Sequence, residues 1–216
     1  MTQPPVPAAS AVRAGSLGPA LLAVYGAVWL ALAIAPRFRE DWLLENLLVF
    51  AAIAWLVRRW HSAPFSNLAY GALFVFFSLH AIGAHYTYSE VPYDAWWQTL
   101  TGSPLDGSGN GGARNHFDRL VHFAYGLLVA PAATELIQRA AAPRGPWRWL
   151  LPWSFLCSHS VIYELLEWAA ALQFGGDLGV AYLGTQGDVW DAQKDMALAA
   201  GGAAFGLALL RNRPDT

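Results

Sequence analysis

FSNLAYGALFVFFSLHAIGAH, residues 65–85, runs 21 residues without an Asp, Glu, Lys or Arg. A membrane helix needs roughly 17 to 25 mostly apolar residues, so this stretch sets the scale on which the rest of the chain is read. Working outward at that length gives five further segments, near residues 19–36, 42–57, 117–137, 149–173 and 192–210. Breakers and charges separate them: Pro36-Arg37-Phe38-Arg39, Arg58-Arg59-Trp60-His61, Ala142-Pro143-Arg144-Gly145-Pro146, and the stretch from Asp177 to Gly187. The expectation is an all-α, polytopic transmembrane bundle of about six spans. Residues 18–210 form its single domain, between a disordered tail at 1–17 and a short tail at 211–216. Residues 86–115 are expected as an outward loop, because Ser103 to Gly112 is dominated by turn formers. Ala31-Leu32-Ala33 and Ala33-Ile34-Ala35 also mimic a signal-peptide cleavage site. The charged region before them is only Arg13, so the segment is read as a span.

Composition agrees with that reading. Hydrophobic side chains make up 56% of the 216 residues and charged ones 13%, about half the charge of an ordinary soluble domain, and the mean hydropathy is +0.32. A net charge of -2 and a single lysine, Lys194, provide no basic face for nucleic acid. One cysteine, Cys157, excludes an intramolecular disulfide and a thiolate metal cage built from this chain alone.

Six spans place both termini on one side. That side holds eight arginines (Arg13, Arg58, Arg59, Arg139, Arg144, Arg148, Arg211, Arg213), against five cations opposite: Arg37, Arg39, Arg114, Arg119 and Lys194. The positive-inside rule then makes both termini cytoplasmic. The acidic residues gather at the other surface, where Glu40, Asp41, Glu90, Asp94, Asp106, Asp118, Asp177, Asp188, Asp191 and Asp195 lie at or beyond the boundary. Glu45, Glu164 and Glu167 sit within spans toward the same side.

Four segments bring His or carboxylate groups to this outer level. Segment three ends with His80 and His85; segment four starts with Asp118 and His122, which are four apart and share a helix face, while Arg119 points elsewhere. Segment five carries Ser160 with Glu164 and Tyr163 with Glu167, and segment six opens on a stripe of Asp188, Asp191 and Asp195. Ionised groups within a bilayer cost on the order of 2.5 to 3.5 kcal/mol even on the mildest scale, and are functional candidates by default. Bland readings stand beside this one. Asp118 with Arg119 fits an interfacial ion pair, Asp188 fits a helix cap, His159 and Glu135 fit structural roles, and Tyr86, Tyr88 and Tyr93 fit belt aromatics. The candidate set is Glu164, Glu167, His122 and Asp118 as catalytic groups, Arg119 and Lys194 as anion contacts, and His80, His122, Asp188, Asp191 and Asp195 as metal ligands.

Four blocks in order, LHAIGAHYTY (79–88), NHFDRLVHF (115–123), YELLEW (163–168) and GTQGDVWDAQKDM (184–196), resemble the YjdF-type family of bacterial inner-membrane proteins over about residues 40–206. The resemblance implies location and topology, not a reaction. A weaker similarity links the second half to VanZ-like membrane proteins through Asp118, Arg119, His122, Phe123, Asp191 and Gly202. It departs where Asp195 replaces an asparagine and Leu198 a glycine, and implies at most shared ancestry of the bundle.

Three functions fit these residues. One is a metal-assisted hydrolase or transferase acting on a lipid headgroup or envelope intermediate, with Zn or Mn on imidazole and carboxylate ligands. Another is a proton-coupled transporter; the chain shows no inverted repeat, and a homo-oligomer would supply the pathway. The third is a non-catalytic bundle binding membrane lipids or a partner, its carboxylates satisfied by Arg37, Arg39, Arg114 and Arg119. Convergence of His80, His122, Glu164 and Asp191 in one sphere would favour the first; scattered ion pairs would favour the third.

Overall fold

A computed structural model describes residues 17–105, 114–176 and 183–212. Arg13, Arg213, Asp215, Asp106, Asp177 and most of both terminal tails lie outside those residues, so the expected tail disorder does too. Among the described residues there are seven helices and no strand: α1 (Gly18–Leu32), α2 (Arg39–Arg59), α3 (Asn67–His85), α4 (Tyr93–Thr101), α5 (Phe117–Ala141), α6 (Trp147–Phe174) and α7 (Asp191–Arg211). Helix ends differ from the expected segment ends by about a turn at most. α1 stops early because Ala35, preceding Pro36, takes a positive φ of 48° instead of continuing the helix, which a following proline disfavours.

By length and composition α3 and α5 can cross a membrane, and α1 is a shorter apolar helix of 15 residues. α2, α6 and α7 have 21, 28 and 21 residues, which corresponds to about 31, 42 and 31 Å, but charged or polar side chains interrupt their apolar runs. The expected outward loop differs in one respect: residues 93–101 form α4, ended by Gly102 at φ 79°. The turn-forming composition begins only at this glycine. Trp96, Trp97 and Leu100 on α4 are exposed.

α5 lies at the centre and packs on α3, α6 and α7, while α1 and α2 pack on α3. Burial is inverted relative to a soluble domain. Leu47, Leu48, Phe50, Leu165, Leu172 and Phe205 face outward, while Asp41, Glu45, Asn46, His80, His122, Asp191 and Asp195 are buried. Buried polar groups need partners, and several clasp helices together. Trp29 donates to Asn46 Oδ1 at 2.6 Å, and Asn46 donates to the Trp42 carbonyl at 2.7 Å, joining α1 to α2. At the opposite end of the bundle Glu135 of α5 accepts from the Ser66 amide at 3.0 Å and from Arg139 at 3.2 Å, while Ser66 caps α3.

The tightest joint is α5 on α7. A Cβ added at Gly126 would stand 2.5 Å from the Ala203 nitrogen and run into the Ala199 carbonyl; one at Gly202 would run into the Phe123 carbonyl; one at Gly206 would stand 2.8 Å from the Leu127 oxygen. Small residues let two helices approach to backbone contact. Asp195, Ala199, Gly202 and Gly206 follow one another at steps of four, three and four residues, so the small-residue stripe that docks α7 also aims Asp195 at α5.

Candidate metal centre

Asp118 and His122 sit one turn apart near the start of α5, with His122 Nε2 3.5 Å from Asp118 Oδ1. Glu164 of α6 brings Oε1 to 3.6 Å from the same nitrogen. Asp195 completes the group from α7: one ligand atom each from Asp118, His122 and Asp195 all lie within 4.8 Å of one another. Separations of 3.5 to 3.6 Å exceed a normal hydrogen bond. They are close to the edge of a tetrahedral zinc sphere, about 3.4 Å when the ligands are 2.0–2.2 Å from the ion. Glu164 Oε1 and Asp195 Oδ1 are buried and accept no hydrogen bond among the described residues. Three carboxylates around one imidazole, with orphaned oxygens, form a donor set suited to a divalent cation.

The nearby cations are committed elsewhere. Arg114 pairs with Asp191 Oδ1 and donates to the Thr185 carbonyl at 2.5 Å. Arg119 pairs with Asp188 at 2.5 Å and reaches Asp191 at 3.5 Å, and Lys194 pairs with Asp188 at 2.5 Å. Asn115 and Gln186 exchange hydrogen bonds at 2.8 and 3.0 Å, tying the entry of α5 to the segment before α7. Asp188 and Asp191, read from sequence as ligands, are therefore held in an ion-pair lattice, and Arg119 and Lys194 are its cations. The Lys194 ammonium and the Trp190 amide hold the Asp188 carboxyl down at about 2. A depressed value means that this carboxylate stabilises the fold above its ordinary 3.8 and loses that contribution as pH falls through about 2. Asp188→Asn should remove that acid-dependent loss; thermal unfolding across the window would show it, and an unchanged pH profile would refute it.

His80 belongs to a second polar group. Its Nε2 donates to the Glu45 carbonyl at 3.1 Å, so in the neutral ring Nδ1 accepts from the Tyr88 hydroxyl. Both nitrogens are engaged, which removes His80 from the His122 set. Tyr88 reaches it because Thr87 and Tyr88 both adopt positive φ, 57° and 53°, curling the chain back so that the Tyr88 ring lies where a Gly83 side chain would be. Two such residues in succession are strained. The Tyr163 hydroxyl donates to Glu45 Oε2 at 3.0 Å, linking α6 to α2, and Glu167, one turn further on, is held beside the same tyrosine. His159 bonds the Phe155 carbonyl of its own helix at 3.0 Å. Sequence reasoning singled out neither Arg114 as the Asp191 partner nor Glu45 as a hub. The signal for the latter was present in Asp41 and Glu45 sharing a face of a helix that is otherwise apolar after its first turns.

A bundle that is apolar outside and carries His and carboxylates inside is a helical membrane protein. The chain belongs to the family described as predicted membrane protein (DUF2238), which it matches over residues 18–215. It is 34% identical to "Inner membrane protein YjdF" of Escherichia coli (strain K12) over 173 residues, 79% of this chain and 77% of that protein. No solved structure matches.

Proposed function

We propose that this chain is a six-span, multi-pass protein of the bacterial inner membrane, with both termini cytoplasmic. In this reading Asp118, His122 and Asp195, supported by Glu164, bind one Zn or Mn ion at the outward end and hydrolyse or transfer a phosphoester of an envelope lipid. The observation that carries it is the convergence of four ligand-grade side chains from three helices on one nitrogen's surroundings, with no lysine or arginine ion-paired to them among the described residues. The name of the Escherichia coli relative and the excess of arginines on the opposite side support location and orientation. A bound divalent ion would activate water near neutral pH. With an ion bound, Glu164 Oε1, 3.6 Å from His122 Nε2 and without a hydrogen bond among the described residues, would take a proton from the attacking water and return it to the leaving oxygen as the ester P–O bond breaks. In this reading the phosphate would draw Arg119 or Lys194 from Asp188, to which both are paired.

Elemental analysis of detergent-purified protein tests this. Wild type should carry close to one Zn or Mn per chain, and Asp195→Asn and His122→Ala should each lose it while keeping the wild-type helical spectrum. Metal-free wild type whose thermal stability is unmoved by chelator would overturn the proposal.

A further inference from the structure

A cavity of about 650 Å³ runs inward from the metal centre between α2, α3, α5 and α6. α5 lines it with one continuous stripe, from Asp118 through His122, Tyr125, Val129 and Ala132 to Leu136. The eighteen helical rises from Asp118 to Leu136 make that stripe about 27 Å long, close to the roughly 30 Å hydrocarbon thickness of a bilayer. Leu48 and Trp55 of α2 and Ile162 and Leu166 of α6 line it too and are at the same time exposed. The cavity therefore opens sideways between α2 and α6, toward the lipid side of a membrane. Polar groups concentrate at its outer end, with Tyr88, His80, His122, Asp118 and Tyr163, and its inner length is walled by Val129, Ala132, Leu136, Phe65 and Trp55.

Tyr125, His159 and Ser160 bring polar atoms to the apolar part; the Tyr125 hydroxyl donates to the Leu156 carbonyl and His159 Nδ1 bonds the Phe155 carbonyl. Ser160 is 3% exposed, lines the cavity, and its hydroxyl has no hydrogen-bond partner among the described residues. It stands one turn, about 6 Å, deeper than Glu164. A phospholipid has the same order of groups: a phosphate at the outer level, an ester carbonyl slightly below it, then a chain crossing half the hydrocarbon core, about 15 Å.

We propose that this lateral cleft seats one acyl chain of an ester-linked phospholipid, with Ser160 donating to an ester carbonyl and the phosphate at the His122 end. The phosphate's placement rests on the metal-centre reading; the chain's seat does not.

Native mass spectrometry of protein purified in mild detergent, with metal content measured on the same samples, separates the two. Wild type should retain one phospholipid per chain. Ala132→Phe and Ala52→Phe, which fill the cleft from opposite walls, should each reduce retention by roughly tenfold or more, and Ser160→Ala by a few-fold. Asp195→Asn should lose metal and keep lipid. A phospholipid carrying a photoreactive group in its acyl chain should label the segments around Tyr125 and Phe155 in wild type. Metal-free wild type that still holds lipid would remove the metal reading and leave this one. The proposal falls if wild type carries no phospholipid, if either filled variant folds and retains as much as wild type, or if the crosslink captures a second copy of the chain.

Discussion

Gly126→Ala should lower the thermal stability of the bundle sharply, although it adds a single methyl group to a residue that in most helices would welcome it. A Cβ at Gly126 meets backbone atoms of α7, the Ala203 nitrogen at 2.5 Å and the Ala199 carbonyl carbon at 3.0 Å, and backbone cannot rotate away as a side-chain tip can. Overpacking of this kind costs about 1 to 3 kcal/mol and occasionally more. Gly71→Ala makes the control. A Cβ there meets nothing within 4 Å, so removing a flexible residue from the interior of α3 should stabilise by about 0.5 to 1 kcal/mol. The opposite signs of two chemically identical changes are the diagnostic. The same displacement moves Asp195 away from Asp118 and His122, so metal content should fall together with stability in Gly126→Ala and be unchanged in Gly71→Ala. Equal unfolding temperatures for the two variants would mean that α5 and α7 are not joined as described.

Arg114→Met should be comparably costly. Asp191 is 4% exposed and its Oδ1 is held by Arg114; with the guanidinium gone, a buried carboxylate is left with Arg119 at 3.5 Å. Removing one partner of a buried pair costs about 3 to 5 kcal/mol, and the remaining arginine places the expectation near the lower figure. Arg114→Met with Asp191→Leu should recover most of the loss, because the penalty lies in the unpaired charge. A double-mutant cycle on unfolding free energies separates the coupling from the single effects. Arg114→Met unfolding together with wild type would show that the pair contributes nothing.

The helices were legible because a membrane helix is set by length and composition, both local properties; residues 65–85 needed no tertiary information. Asp118 and His122 were equally legible, since a four-residue step fixes their shared face. Asp195 joined them for a less visible reason. Three acidic residues in register from 188 to 195 look alike in sequence, and only the glycine contacts of α7 on α5 send Asp195 to His122 while Arg114 and Arg119 capture Asp191 and Asp188. His80 was separated from the set by Tyr88, whose reach depends on two successive left-handed residues at Thr87 and Tyr88, a conformation that side-chain preferences argue against. α4 was hidden by its setting, a short amphipathic stretch directly ahead of a glycine-rich run. The cleft between α2 and α6 had no sequence signal, because its walls are built from the same apolar residues as the exterior.

The inverted burial pattern bears on how this sequence is free to drift. Leu47, Leu172 and Leu30 are 60, 67 and 62% exposed, so exchanges among Leu, Ile, Val and Phe there alter no packing and go unselected, whereas a single Lys at the same place would meet hydrocarbon. In a soluble domain the exterior tolerates chemistry and the interior tolerates little; here the exterior tolerates shape and forbids charge. Divergence between relatives of this bundle should therefore accumulate as silent exchange within one narrow alphabet on its outer faces, and the letters that hold still should mark its polar interior.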